Sequence, residues 1–186
     1  MGDQGSFERD ENYLTTRITA DGRDGYPVQP GRYRLVVSRA CPWASRAVIV
    51  RRLLGLEDVL SMGICGPTHD KRSWTFDLDP GGVDPVLKIP RLQDAYFARV
   101  PDYPKGITVP AIVDIPSGQV VTNDFAQMTE DLFFEWREFH RPGAPDLSNW
   151  LSPHGREALG GRPFGDGTPP EPTREGERVP QGHSAD

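Results

Sequence analysis

A short apolar segment runs directly into a cysteine that opens an amphipathic helix, and this junction limits the possible folds more than any other feature of the sequence. The segment Arg32 to Ser38 is rich in aliphatic and β-branched residues and predicts a strand. Cys41 and Pro42 follow, and apolar positions three and four residues apart between Trp43 and Leu54 predict a helix. A proline in the first turn costs no hydrogen bond, because that N–H has no partner within a helix.

The remaining elements alternate in a way that is typical of one α/β plan. They are a strand at 59–65, a helix at 91–99, a hairpin of strands at 107–115 and 119–122, and a helix from Asp124 onward. Two parallel strands joined by a crossover helix, followed by a hairpin and a closing helix, predict an α/β thioredoxin-like fold of the form βαβ then ββα.

Composition divides the chain of 186 residues into three parts. Residues 1–30 are polar and without a sustained period, so we expect an N-terminal arm lying over the domain. Residues 31–140 form the predicted thioredoxin-like, thiol-binding domain. Residues 141–186 contain 8 Pro and 8 Gly but only six large apolar residues or cysteines. Such a segment buries too little apolar area to offset its backbone entropy, and we expect an irregular, disordered tail.

Charge and hydropathy exclude several classes of function. A formal net charge of −6 argues against a nucleic-acid or anionic-membrane partner, both of which need clustered Lys and Arg. No apolar run is long enough to span a bilayer, and the N-terminus lacks the pattern of a signal peptide. We therefore expect a cytoplasmic protein. The two cysteines do not make a disulfide framework, and the four histidines lack metal-ligand spacing, so no metal is assigned.

Cys41 is the candidate nucleophile because of its place between a strand and a helix. The free N–H groups at a helix start carry about half a positive charge, which favours thiolate over thiol. The alternative is an inert buried cysteine, which is the interpretation we favour for Cys65 inside an apolar strand. Ala44 stands where a resolving cysteine would complete a Cys-X-X-Cys motif. A lone thiolate needs an external thiol to complete a cycle, which favours a low-molecular-weight thiol as co-substrate.

Three other features each allow a structural and a functional interpretation. Val109-Pro110 is either an ordinary edge-strand proline or the cis-proline that faces the active cysteine in thioredoxin folds. Asp124 is a helix cap, an acid that receives the amino group of a γ-glutamyl moiety, or both. Trp74 is either a lid packed on the core or one wall of a thiol pocket.

The combination of these motifs resembles one known family. The stretches are GRYRLVVSRACPWASRAVIVRRLLGLEDVLSMGICGP, then SWTF, TVPAIVD and VTND. In order and spacing they are similar to the glutathionyl-hydroquinone reductases, the Xi class of glutathione transferases. The resemblance extends from roughly Tyr13 to His140. It implies a reductase in which Cys41 attacks the sulfur of a glutathionyl-hydroquinone thioether, with Trp74, Val109, Pro110 and Asp124 at the positions that hold glutathione.

The chain departs from the family pattern at three places. Asp124-Phe125 replaces the usual Glu-Ser, and Gly106 stands where a basic residue is usual, with Lys105 one position early. Both changes weaken a glutathione-specific interpretation and suit another thiol such as mycothiol. The third departure is the missing helical C-terminal domain, which in this dimeric family supplies the aromatic-substrate pocket and most of the dimer interface. We therefore expect a truncated or frame-shifted product with weak activity, poor solubility or dependence on a partner.

Three hypotheses about function follow. The first is a thiol-dependent reductase that cleaves quinone-type thioethers through a mixed disulfide on Cys41, with no permanently bound cofactor and with glutathione or another small thiol as co-substrate. The second is a non-catalytic thioredoxin-fold module that binds a thiol. The third is a non-functional product of a disrupted gene. Rapid alkylation of Cys41 separates the first from the second.

Overall fold

A mixed four-stranded sheet forms the centre of the structure, a computed structural model that describes residues 13–67, 69 and 72–148. The strand order is β2-β1-β3-β4. Strand β1 pairs in parallel with β2, and β3 is antiparallel to both β1 and β4. The strands are β1 (Tyr33–Ser38), β2 (Ser61–Cys65), β3 (Ala111–Asp114) and β4 (Gln119–Thr122).

In the part of the chain that the structure describes, three helices cover the sheet. They are α1 (Pro42–Leu54), α2 (Leu92–Arg99) and α3 (Phe125–Phe134), with short 3-10 turns at Pro80–Gly82 and Arg137–Phe139. Helix α1 packs against α3, whereas α2 packs against β4. All six residues of β1 are buried, so both faces of the sheet are covered. This element order and topology confirm the predicted thioredoxin-like fold.

The buried side of α1 begins one residue later than the sequence pattern predicts. Ala44, Ala47 and Leu54 are buried, whereas Trp43 is only partly so. Positions 43 and 44 differ by about 100° around the helix axis, and it is Ala44 that faces the core. Gly55 ends the helix with φ +73°, and a Cβ atom there would lie 2.6 Å from the Arg141 side chain. The glycine is therefore required by both conformation and space.

Strand β3 is shorter than the predicted segment 107–115. It begins at Ala111, which pairs with Val36 of β1, and the preceding residues form a loop. Pro110 has no N–H to donate to a neighbouring strand, so pairing starts after it. Strand β2 likewise begins at Ser61 rather than Val59. The shortened β3 leaves residues 107–110 free to form the loop that reaches Cys41.

The N-terminal segment from residue 13 onward contacts the domain closely. Thr15 forms an antiparallel bridge with Thr122 at the outer side of β4. Ile18 is buried in the core, and Arg17 forms an ion pair with Asp131 of α3. The segment therefore pairs with the last residue of β4, at the outer edge of the sheet.

The start of the predicted tail also packs on the domain. The Arg141 N–H donates to the carbonyl oxygen of Leu54 at 2.8 Å, and Leu147 is buried. The rest of the predicted tail, 149–186, lies outside the described residues, so the division at 30 and 140 stays a prediction. Within the described ranges, no helix is both long enough and apolar enough to cross a membrane.

The chain segments that carry the predicted site residues meet at one end of the sheet, where β1 and β2 stop. Strands β1 and β2 are parallel, and their last residues, Ser38 and Cys65, lie side by side. The first residues of β3 and the last residue of β4 lie at the same end of the sheet, because Ile112 pairs with Thr122. The loops at 39–41, 66–75, 107–110 and 123–124 therefore converge there.

Candidate functional site

Cys41 occupies the N-cap position of α1, as the strand-to-helix junction predicts. Its backbone is extended, with φ −98° and ψ 113°, and Pro42 follows in the first turn. The Cys41 N–H donates to the carbonyl oxygen of Ser38 at 3.1 Å, which fixes the turn out of β1. No acidic residue lies in the first turn of α1, so the partial positive charge at this helix start is not offset from within it.

The loop before β3 contacts the Cys41 thiol directly. Sγ of Cys41 donates a hydrogen bond to the carbonyl oxygen of Val109 at 3.3 Å. The peptide bond between Val109 and Pro110 is cis, and both residues are buried. The Cys41 residue is 8% exposed, so the sulfur sits beneath the surface against this loop. The structure thus brings together three of the predicted site residues.

Asp124 is the N-cap of α3, and it leaves one carboxylate oxygen available. Its Oδ1 accepts hydrogen bonds from the N–H groups of Ala126 and Gln127, both at 3.1 Å. Among the described residues, Oδ2 receives no hydrogen bond, and the side chain is only partly buried. One carboxylate can therefore cap the helix and accept a hydrogen bond from a ligand, so the two interpretations of Asp124 are compatible.

Trp74 lies in the loop that follows β2. The Thr75 carbonyl oxygen accepts a hydrogen bond from Gly66 N–H, and the Gly66 carbonyl accepts one from the Ser38 hydroxyl, each at 3.0 Å. These bonds tie the Trp74 segment to the end of β1, close in sequence to Cys41. The indole is half-buried and packs edge-on against His69, with ring centroids 5.0 Å apart. A half-buried position is compatible with both a lid and a pocket wall.

Cys65 is a core residue, as its place in an apolar strand predicts. It is 1% exposed, and both cysteines of the chain are free thiols. Burial, together with the nearby acidic residues Asp84, Asp77 and Asp79, raises the pKa of Cys65 to about 12. Cys65 therefore remains protonated at neutral pH, and Cys41 is left as the candidate nucleophile.

Sequence reasoning missed a group of residues that lie between these elements. The Asn123 side chain hydrogen-bonds to the Leu14 backbone and to the Thr108 hydroxyl, at 2.7 and 2.8 Å. Tyr13 packs edge-on against Phe125 with ring centroids 6.2 Å apart. The sequence offered one signal for Asn123, a polar residue between an apolar strand and a helix-capping acid. Nothing in the sequence indicated that residues 13 and 14 reach this corner.

Known proteins resemble this chain in both sequence and structure. Residues 40–132, half of the chain, match the family described as "Glutathione S-transferase, N-terminal domain". Over 132 residues the chain is 34% identical to the glutathionyl-hydroquinone reductase YqjG of Escherichia coli, covering 67% of this chain and 40% of YqjG. This chain belongs to the glutathionyl-hydroquinone reductase family, the Xi class of glutathione transferases.

Solved structures of this family support the same assignment. A glutathione transferase from Gordonia bronchialis is 69% identical, with a TM-score of 0.74 over 80% of this chain and 45% of that one. The glutathione-bound structure of YqjG is 29% identical, with a TM-score of 0.68 over 78% of this chain and 50% of that one. The chain spans less than half the length of the curated relatives it matches, between 39% and 47%.

Proposed function

We propose that this chain is the thiol-binding part of a thiol-dependent reductase in which Cys41 is the nucleophile. The observation that carries the proposal is the contact between Cys41 Sγ, at the start of α1, and the Val109 carbonyl oxygen, 3.3 Å away. A nucleophilic thiolate needs a positive field and an adjacent surface on which the attacked sulfur can be held. The start of α1 supplies the positive field, and the loop at 107–110 supplies the surface that holds the attacked sulfur.

The proposed reaction proceeds in two sulfur-transfer steps. In the first, the Cys41 thiolate attacks the sulfur of a glutathionyl-hydroquinone-type thioether. An S–S bond forms as the C–S bond breaks, and the ring carbon takes the electron pair and a proton, so the hydroquinone leaves. In the second, a thiolate attacks the co-substrate sulfur of the mixed disulfide and releases Cys41 as a thiolate together with a small-molecule disulfide. Two sulfurs are oxidised and one carbon is reduced.

The other site residues are proposed to hold the thiol co-substrate. The free Oδ2 of Asp124 is suited to the protonated amino group of a γ-glutamyl moiety, because a charge-assisted hydrogen bond is stronger than a neutral one. The backbone of Val109, held by Pro110, pairs with the cysteinyl part of the thiol next to Cys41. Trp74 forms one wall of the pocket.

Two thiols are proposed as co-substrates, and of these only glutathione has the γ-glutamyl amino group assigned to Asp124. Glutathione is supported by its presence in the structure of YqjG. Mycothiol is supported by the departures at two positions. Phe125 provides no hydroxyl for a γ-glutamyl carboxylate and packs against Tyr13 instead, and Gly106 provides no charge. Either thiol requires Cys41 to remain reduced, so we propose the cytoplasm, a reducing compartment, as the location of this chain.

The test is mass spectrometry of the full chain after exposure to glutathione disulfide and, separately, to mycothiol disulfide. We expect one adduct, on Cys41, in the wild type and in Cys65→Ala, and none in Cys41→Ser. Release of hydroquinone from its glutathionyl thioether, with each thiol in turn as reductant, then measures turnover and co-substrate preference. Equal or faster rates with glutathione contradict the preference for mycothiol.

Two outcomes count against the proposal as a whole. An adduct on Cys65, or on neither cysteine, contradicts the assignment of Cys41. An adduct on Cys41 without any hydroquinone release favours a thiol-binding module over a reductase.

A further inference from the structure

The side chain of Asn123 is buried and joins two separate segments. It is 1% exposed. Its Oδ1 accepts a hydrogen bond from the Leu14 N–H at 2.7 Å, and its Nδ2 donates to the Thr108 hydroxyl oxygen at 2.8 Å. A backbone N–H only donates, so the amide oxygen must face Leu14 and the amide nitrogen must face Thr108. The buried amide therefore has one orientation.

The two residues joined by the side-chain hydrogen bond, Thr108 and Asn123, each adjoin a residue of the proposed thiol site. Thr108 directly precedes Val109, whose carbonyl oxygen contacts the Cys41 thiol. Asn123 itself directly precedes Asp124, the N-cap of α3. The hydrogen bond between the two side chains therefore links the loop that contacts Cys41 to the carboxylate at the other end of the site.

Further hydrogen bonds fix both ends of this link. The Tyr96 hydroxyl donates to the Thr108 carbonyl oxygen at 2.8 Å, which holds the loop from α2. The Leu14 carbonyl oxygen accepts from the Asn123 N–H at 3.2 Å and from the Thr122 hydroxyl at 2.8 Å. Asn123 is thus held on three sides, by the N-terminal segment, the end of β4 and the loop before β3.

We propose that Asn123 is a positioning residue that sets the separation between the Val109 backbone and the Asp124 carboxylate. The inference rests on the proposed function, in which these two groups hold opposite parts of one thiol. Asn123 is buried and acts through Thr108 and Asp124, without contact with the thiol. Without the amide, the loop and the helix start are free to shift relative to one another. A displacement of about 1 Å in such a site costs up to about 100-fold in rate.

The test compares substitutions that break the link with one that breaks an unrelated buried bond. Asn123→Ala and Thr108→Val both remove the Asn123–Thr108 hydrogen bond. Thr108→Ser keeps the hydroxyl oxygen that accepts this bond. Thr129→Val is the matched control, because its buried hydroxyl donates to the Ala126 carbonyl at 2.8 Å within α3. Two rates are measured for each variant: alkylation of Cys41 by iodoacetamide, and formation of the Cys41 mixed disulfide at a series of glutathione disulfide concentrations.

We expect Asn123→Ala and Thr108→Val to raise the half-saturating concentration of glutathione disulfide by about 10-fold or more. The rate of Cys41 alkylation should change less than about 2-fold, because iodoacetamide does not use the thiol site. Thr108→Ser and Thr129→Val should resemble the wild type in both measurements. This separation distinguishes positioning from a loss of structure, which lowers the folded fraction and changes both rates together.

Two results would overturn the inference. One is an unchanged half-saturating concentration in Thr108→Val, the variant that tests the link if Asn123→Ala fails to fold. The other is a parallel change of the alkylation rate and of the half-saturating disulfide concentration in every variant that breaks the link. A failure of the proposed function is visible separately, because the wild type itself would then form no mixed disulfide on Cys41.

Discussion

The Sγ atom of Cys41 and the carbonyl oxygen of Val109 lie 3.3 Å apart, although 68 positions separate the two residues in the chain. Cys41 follows the turn that leaves β1, and Val109 lies in the loop that leads into β3. They meet because β1 and β3 are adjacent and antiparallel, which brings the end of one strand beside the start of the other. The candidate site is therefore a product of sheet topology and does not exist in any local segment of the chain.

The two cysteines should differ sharply in reactivity. We expect iodoacetamide to modify Cys41 in the folded protein near neutral pH and to leave Cys65 intact until the chain is unfolded. Cys65 is buried, and with a pKa of about 12 its thiolate is a very small fraction near pH 7. Peptide mapping after timed alkylation, with and without urea, measures the labelling rate of each cysteine. Faster labelling of Cys65 in the native state would contradict the assignment.

Replacing Asp124 should separate its two proposed roles. Asp124→Asn keeps a good N-cap, so the free energy of unfolding should change by less than about 0.5 kcal/mol. It removes the charge, which should weaken thiol binding by about 10-fold to 100-fold. Asp124→Ala should show the same loss of binding and, in addition, about 1 kcal/mol of destabilisation from the lost cap. Urea unfolding and thiol titration of the two variants provide the measurements.

Unchanged thiol binding in Asp124→Asn would mean that the carboxylate serves only as a cap. Thr129→Val is again a suitable control for the unfolding measurement, because it removes a hydrogen bond to the Ala126 carbonyl and keeps the Asp124 carboxylate.

A buried ion pair should be one of the most sensitive points of the fold. Arg34 of β1 and Asp84 have side chains 7% and 0% exposed, with the guanidinium NH2 group and Oδ2 2.8 Å apart. Asp84→Ala leaves the guanidinium buried without its partner and should cost about 3–5 kcal/mol of unfolding free energy. The double change Arg34→Met with Asp84→Leu should recover part of that loss.

The recovery should be incomplete, because Asp84 Oδ1 also accepts hydrogen bonds from the N–H groups of Val86 and Leu87. Chemical denaturation monitored by circular dichroism measures each variant. The exposed pair of Arg23 with Asp21 is the control, and Asp21→Ala, which keeps the Arg23–Glu135 pair, should have a much smaller effect. Equal losses in the buried and exposed variants would contradict the prediction.

The pH dependence of stability should contain a contribution from Asp131. Burial raises the pKa of this carboxyl group, although Arg17 and Gln127 partly oppose the shift. The folded state then binds a proton more tightly than the unfolded state does. The contribution of Asp131 to stability therefore increases as the pH falls through its raised folded-state pKa, and it decreases as the pH rises.

Asp131→Asn lacks this titration. The unfolding free energy of the wild type minus that of Asp131→Asn should therefore increase from about pH 7 to about pH 4. Urea denaturation at a series of pH values measures the difference. A difference that stays constant, or that decreases as the pH is lowered, would show that the Arg17 ion pair outweighs burial.

The sequence was sufficient to predict the fold and the position of Cys41 at the start of a helix. Apolar periodicity and the placement of Pro42 and Gly55 marked the first helix, and the order of elements indicated the sheet topology. Cys41 could be recognised because its position at a strand-to-helix turn depends only on local sequence. The start of β3 was placed too early, since the apolar residues before Pro110 resemble a strand whether or not they are paired.

The supporting contacts could not be predicted from the sequence, because each joins residues distant in the chain. Leu14 reaches Asn123 across 109 positions, and Arg17 reaches Asp131 across 114. The N-terminal segment is polar and lacks periodicity, so nothing local specifies which surface it covers. Hydrogen bonds through backbone groups, such as those of Leu14, also leave no signature in the side-chain pattern.

The bridge between Thr15 and Thr122 has a practical consequence for anyone shortening this protein. A chain that starts at residue 31 would begin at the predicted domain boundary, yet it would lose the bridge to Thr122 at the outer edge of the sheet. An uncovered strand of this kind invites pairing with another molecule. The same shortening would deprive the Asn123 amide of its partner at Leu14, so self-association and a poorly formed thiol pocket should arise together.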